Sequence, residues 1–242
     1  MIHYKHILLP VFLLLSIEAF AQRRVSADVE VKTVTGGNVT TVTKSVYCLN
    51  NGRLVAYFHS PFEYVMDTNI LGECKIYFPS SNEVYVDSSG SITSKDELLS
   101  LLLSGRLEDL GVSLSGYRLK TTERLPDALL KKTYQSTNSD MPAQCEIVYK
   151  DFLPIYSATL TADGHPLVKV YYSRYGNVGY TPFPHRSTEI IYNSPKDSTV
   201  IRTIYSNIVI DGDDSRFDFS VPEDAKPLDM TPDVSGRSVK SK

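Results

Sequence analysis

Metal binding and acid–base catalysis need histidines, cysteines and carboxylates gathered at one place, and this sequence keeps them apart. Beyond the first 21 residues its histidines are His59, His165 and His185, none within metal-ligand spacing of another or of a cysteine. His165 falls in an Asp-Gly-His-Pro turn and His185 in a proline-rich stretch, so both read as solvated loop residues. The sequence contains no GxSxG, no HExxH and no glycine-rich phosphate loop. Asp211, Asp213 and Asp214 have the composition of a calcium loop but lack its closing glutamate and flanking helices, so they read as an acidic turn. Glu63, Asp67 and Glu73 form no identifiable acid–base pair. The expectation is a non-catalytic protein with no metal and no cofactor.

The three cysteines, Cys48, Cys74 and Cys145, are too far apart for a CxxC motif. An odd count in a secreted chain leaves at least one thiol over. One disulfide has three possible pairings. Alternatively all three are small buried hydrophobes, since each falls in the apolar phase of its strand.

What remains is apolar chemistry. Leu98, Leu99, Leu101, Leu102 and Leu103 crowd a short span after Ser94-x-x-Glu97, a capping-box pattern, and Gly105 is placed to end the helix. A helix that is apolar around most of its surface lies between layers rather than in water. Its partner is the stretch from Gly52 to Asp87, around which the chain is organised. This stretch reads as four short strands with period-two alternation, one face buried and one wet. The residues expected to line a cavity between sheet and helix are Leu54, Phe58, Ile76, Phe78, Leu98, Leu101, Leu102 and Tyr171. Each acyl methylene buried there contributes about 0.8 kcal/mol. The competing reading is that the leucines close a dry core, and that the chain is a structural or interaction module with no ligand. In that case the aromatic stretch from Tyr175 to His185, read as a loop, is the contact surface.

The elements that position these residues follow from the same alternation. Strands run through Asp28 to Thr35 and Val39 to Leu49, then through the organising stretch. After the leucine helix come a strand at Ser113 to Thr122 and a short helix at Pro126 to Tyr134. The second half holds strands at 144–150, 155–162, 167–173, 188–192, 200–209 and 217–221. Strands, then helices, then strands describe an α+β protein. About eleven antiparallel strands curl into a half-barrel, with helices covering the concave face.

At the start, Ile7 to Ile17 is almost wholly apolar and Ala19-Phe20-Ala21 is a small-x-small cleavage site. Residues 1–21 therefore read as a secretory signal peptide, the run being too short to span a bilayer. Residues 22–227 read as one half-barrel domain and 228–242 as a disordered tail. A net charge of −3 with no basic run argues against nucleic acid as a partner.

The layout resembles the periplasmic outer-membrane lipoprotein carriers, the LolA-like family. The residues that carry the resemblance are Gly52-Arg-Leu-Val-Ala-Tyr-Phe-His-Ser-Pro61, Ile76-Tyr-Phe-Pro79 and Glu83-Val-Tyr-Val86. To these add the leucine-rich segment at 97–105, Asp163-Gly164, Phe183-Pro184 and the closing Phe217-Asp-Phe-Ser-Val-Pro222. The resemblance covers roughly residues 28 to 224. It implies a curved half-barrel under a helical lid, and a cavity that takes a lipid or the acyl chain of a lipoprotein, as a carrier or chaperone. It also implies the periplasm of a Gram-negative bacterium, with envelope membrane proteins as further partners. Two features depart from the family pattern. Strands begin soon after the cleavage site where the carriers place a helix. Pro61 is followed by Phe62-Glu-Tyr-Val-Met66, with no counterpart of the arginine that latches the carriers' lid.

Overall fold

The computed structural model describes residues 23–228 except 88, 96, 195 and 196; the signal segment and the tail beyond Leu228 lie outside the described residues. The first half is a meander of β1 (Arg24–Thr35), β2 (Asn38–Leu49), β3 (Leu54–Ser60), β4 (Tyr64–Thr68), β5 (Cys74–Phe78) and β6 (Glu83–Asp87). Gly36 and Gly37 make the first hairpin, with φ of 55° and 83° that a side chain would oppose. The second half is another meander: β7 (Tyr117–Arg124), β8 (Leu130–Ser136), β9 (Gln144–Lys150), β10 (Leu153–Leu160), β11 (Pro166–Val178), β12 (Thr181–Ser194) and β13 (Asp197–Ile210). A two-residue strand, β14 (Lys226–Pro227), runs parallel to β6.

All fourteen strands form one sheet in the order β14-β6-β5-β4-β3-β2-β1-β13-β12-β11-β10-β9-β8-β7. The two meanders join where the first strand pairs with β13, from Val25↔Ile210 to Thr35↔Thr199. This leaves β6 near one edge of the sheet and β7 at the other. The segment between them must cross the width of the sheet, and it carries α1 (Leu98–Leu103). Topology, rather than helix propensity, places the leucines over one face of the sheet.

Among the described residues the eleven strands expected are thus fourteen, and the helix expected to cover the sheet is a six-residue helix followed by a 3-10 turn at Val112–Ser115. The helix expected at Pro126 to Tyr134 is a turn, with Asp127 and Ala128 both at φ 58°, leading into β8. Leu130, Lys132 and Tyr134 share one face there, so the period is two rather than 3.6. The loop expected at Tyr175 to His185 is also strand. It is a hairpin in which β11 and β12 run on to Val178↔Thr181, turning through Gly179 and Tyr180. Pairing of the two arms with each other overrides the local glycine and prolines. The strand expected at Phe217 to Val221 is instead a 3-10 turn at Ser215–Asp218. The capping box does not form either. Glu97 is the N-cap residue and its side chain makes no capping bond, and the buried Ser94 donates its hydroxyl to the Gly52 carbonyl at 2.6 Å.

The main core lies between α1 and that face of the sheet, with Leu99, Val25, Val46, Cys48 and Phe183 fully buried. A second core lies on the outer face. There the turn at 215–218 sets Phe217 against Tyr47, Val55 and Val65. Arg53 holds this strap down. It grips Asp67 with two bonds of 2.9 and 3.0 Å and donates to the carbonyls of Phe217 and Phe219.

The strap begins with Asp214, whose carboxylate accepts from the Arg216 backbone and guanidinium. These bonds hold its pKa at about 2, below the ordinary 3.8. The sign follows from linkage. Between those values the unfolded chain binds the proton that the folded chain refuses. The contribution is therefore complete above about pH 4 and is lost as pH falls toward 2. Asp214→Asn is expected to flatten the acid limb of a urea-midpoint titration across that window and to leave the neutral limb parallel. An unchanged acid limb would remove Asp214 from the acid response.

Candidate functional site

The register of the second meander decides what faces the helix. Ser157 pairs with Val170 and Thr159 with Val168. Val170 in turn pairs with Glu189, Tyr172 with Ser187, and Ser187 with Thr203. Because side chains alternate, these residues share one face of the sheet. They floor a hollow of about 560 Å³ roofed by Leu98, Leu101, Leu110, Val112 and Met141. Ser157 and Tyr172 share a hydrogen bond of 3.2 Å on this floor.

Of the residues expected to line a cavity, Leu98 and Leu101 do line this hollow. Leu54 and Leu102 are buried in the core around α1, and Phe58 packs against it. Phe58 stacks on Tyr64 at 4.1 Å, and Tyr64 meets Phe78 at 6.0 Å. Ile76 is opposite Met66 in the same part of the sheet. Leu54, Phe58, Ile76, Phe78 and Leu102 are therefore outside the hollow's lining. Tyr171 is on the opposite face, 45% exposed, with its ring 5.2 Å from Tyr156. Its neighbour Tyr172 faces the hollow instead. The polar floor was missed by sequence reasoning, which searched for apolar residues. Its signal was the alternation Ser157-x-Thr159 and Ser187-x-Glu189 in strands whose other phase is also half-buried.

A second hollow of about 610 Å³ lies across the helix, against Leu49, Ile70, Leu103 and Leu114. Leu101, Ser115 and Met141 border both hollows, so the helix segment is a partition between them. A third, of about 620 Å³, is lined by Arg53, Asp67, Glu73, Lys75 and Asp87 and is too charged for an acyl chain.

The partition is fastened at its start. The Tyr205 hydroxyl donates to Glu97 Oε1 at 2.7 Å, across 108 residues. Desolvation, then the Glu97 charge, pushes the Tyr205 pKa well above the ordinary tyrosine value, so it stays a donor. With Ser94 tied to Gly52, two polar bonds hold the segment in a chain whose Phe62-Glu-Tyr-Val-Met66, directly after Pro61, holds no arginine. Tyr205→Phe is expected to cost about 1–3 kcal/mol, because the partly buried carboxylate loses its donor. The check is a urea unfolding curve together with amide exchange, which should rise first in α1. Unchanged exchange in α1 would mean that the bond does not hold the helix.

All three cysteines are free and buried. Burial raises the thiol pKa of Cys48 and pushes that of Cys145 up to about 12, so neither is a nucleophile at neutral pH. His59 meets Ser45 at 2.9 Å, His165 meets Asp163 at 3.2 Å, and His185 meets the Tyr205 carbonyl at 3.3 Å. Among the described residues no cluster of three or more His, Cys, Asp or Glu is placed to hold a metal ion. No helix among them is long and apolar enough to cross a membrane.

Solved structures share this architecture. A DUF1329 family protein from Desulfovibrio piger superposes with a TM-score of 0.56 at 13% identity, over 82% of this chain and 90% of that one. A putative outer membrane lipoprotein-sorting protein domain from Vibrio parahaemolyticus gives 0.55 at 13% identity, over 78% and 85%. A LolA superfamily protein from Nitrosomonas europaea gives 0.54 at 13% identity, over 78% and 86%. No protein-family model and no curated protein matches the sequence. At such identities the likeness establishes the fold, a large curved antiparallel sheet of LolA-like type.

Proposed function

We propose that this LolA-like chain is a non-catalytic envelope protein that binds the acyl chain of a lipid or lipoprotein in the hollow beneath α1, as a carrier or chaperone. The observation that carries the reading is a hollow of about 560 Å³ whose roof is leucine, valine and methionine. That volume falls within the roughly 300–1,000 Å³ that holds one small ligand. A dozen buried methylenes contribute about 10 kcal/mol. A hollow open on one side buries a chain incompletely, which leaves release within reach. The sequence features of residues 1–21 support export, and the carrier-like fold supports work in the periplasm of a Gram-negative cell.

The test is native mass spectrometry of protein isolated from its own envelope, followed by organic extraction. A co-purifying lipid or acylated peptide supports the carrier reading and names its cargo. Bare protein that also refuses both a fluorescent fatty acid and a fluorescent monoacylglycerol favours the second reading, an envelope interaction module with a dry core. One observation favours that reading: the tip of the β11–β12 hairpin presents Tyr180 with its side chain wholly in solvent.

A further inference from the structure

We infer that the ligand of this hollow is a single-chain amphiphile whose polar head is neutral and hydroxyl-bearing, of the monoacylglycerol class. The inference rests on the reading of the hollow as an acyl site and specifies what that site selects. Its basis is the segregation of chemistry between floor and roof. The roof offers leucines, valine and methionine, and the hydroxyls beside them, of Ser115 and Tyr117, already donate to the carbonyls of Gly111 and Pro142. The floor offers the hydroxyls of Ser157, Thr159, Ser187, Thr203 and Tyr172, and every hydroxyl both donates and accepts. A head group with hydroxyls and an ester carbonyl is matched by that set, whichever way it turns.

The sign of charge excludes the commoner alternative. No lysine, arginine or histidine is among the lining residues, and the one formally charged side chain there is a carboxylate, Glu189. The cations of the same strands are sent outward by the same register. Lys169 pairs with Ile190, Arg202 with Thr188, and Arg186 with Ile204, all in the opposite phase to the floor. Lys169 lies over the Tyr192 ring at 5.3 Å. A fatty-acid carboxylate or a phosphate head entering the hollow would leave water, gain no cation and approach a carboxylate. A partly buried anion without a partner is costly. The volume completes the specification, since a hollow of about 560 Å³ suits one chain rather than several.

The experiment is calorimetric titration of the full mature chain, at about pH 8 where carboxylates are ionised. Three ligands of equal chain length are compared below their micelle concentrations: monododecanoylglycerol, dodecanoate and dodecylammonium. The expected result is that the glycerol ester binds at least about tenfold tighter than dodecanoate, the gap narrowing as salt screens the floor. Dodecanoate binding as tightly as the ester would overturn the neutral-head inference and leave the acyl hollow standing. Dodecylammonium binding tighter than the ester would overturn it in favour of a cationic head. If none of the three binds, the acyl reading itself fails, and this inference fails with it.

Discussion

Phe217→Ala is expected to destabilise the protein by about 3–5 kcal/mol, the range for emptying a buried aromatic site. Phe217 is fully buried although it comes from a four-residue 3-10 turn. Its ring meets Tyr47 edge-on at 5.0 Å, and the Arg24 guanidinium lies 5.1 Å from its centroid. Its carbonyl, with that of Phe219, engages Arg53, which is already committed to Asp67. Phe219 continues the contact, 5.9 Å from Tyr57 and 6.1 Å from Tyr77. Losing the Phe217 ring therefore leaves a cavity on the outer face and loosens the strap that seals it. Urea and thermal unfolding measure the loss. Phe152→Ala, at a ring 91% exposed, is the control and should stay within about 0.5 kcal/mol of the parent. A loss below about 1 kcal/mol for Phe217→Ala would mean that the strap is not part of the cooperative fold.

Val170→Trp is expected to lower uptake of a fluorescent monoacylglycerol by at least about tenfold, with little change in the unfolding midpoint. Val170 is half-buried, faces the hollow, and sits in register between Ser157 and Glu189. An indole there occupies the space a chain would take, and it grows into open volume rather than into packed core. Leu101→Glu, at a residue expected from the sequence to line the cavity, is the poorer blocking change. Leu101 is only 6% exposed and belongs to the main core, so a glutamate there buries a charge and confounds binding with folding. Tyr171→Ala, one residue along on the outer face, should leave uptake unchanged. Uptake preserved in Val170→Trp would show that the chain binds elsewhere, with the second hollow across the helix as the next place to look.

The legible parts of this protein were those governed by local alternation. The meander from Gly52 to Asp87 reads as four strands and is four strands, β3 to β6. The strand at Gln144 to Lys150 keeps its expected bounds. The leucine cluster reads as a helix that is apolar almost all round, and α1 buries four of its six residues. Expectations that depended on long-range pairing mostly under-read strand, whereas Phe217 to Val221, expected as strand, is a 3-10 turn. The 175–185 hairpin and β8 carry glycine, proline or lysine that argue against strand locally, yet the hairpin's arms pair with each other and β8 is paired on both sides. Ser94 and Glu97 were legible as a helix cap. Both are instead committed to remote partners, Gly52 and Tyr205.

The sequence by itself determined that there is a curved antiparallel sheet with one wet and one apolar phase, and that a leucine-rich helix must be covered. It also determined that no catalytic motif is written in order along the chain. These are properties of neighbours two to four residues apart, which period and composition report directly. Only the tertiary structure decided where the hollow lies and what lines it. Pairing of β1 with β13 leaves β6 near one edge and β7 at the other, so the connection between them spans one face of the sheet. A one-residue difference in phase then puts Tyr172 on the floor and Tyr171 outside, and gathers hydroxyls from β10, β11, β12 and β13 under leucines some sixty to a hundred residues earlier in the chain. Such a site is assembled by register across strands, and register is fixed by pairings that no local window contains.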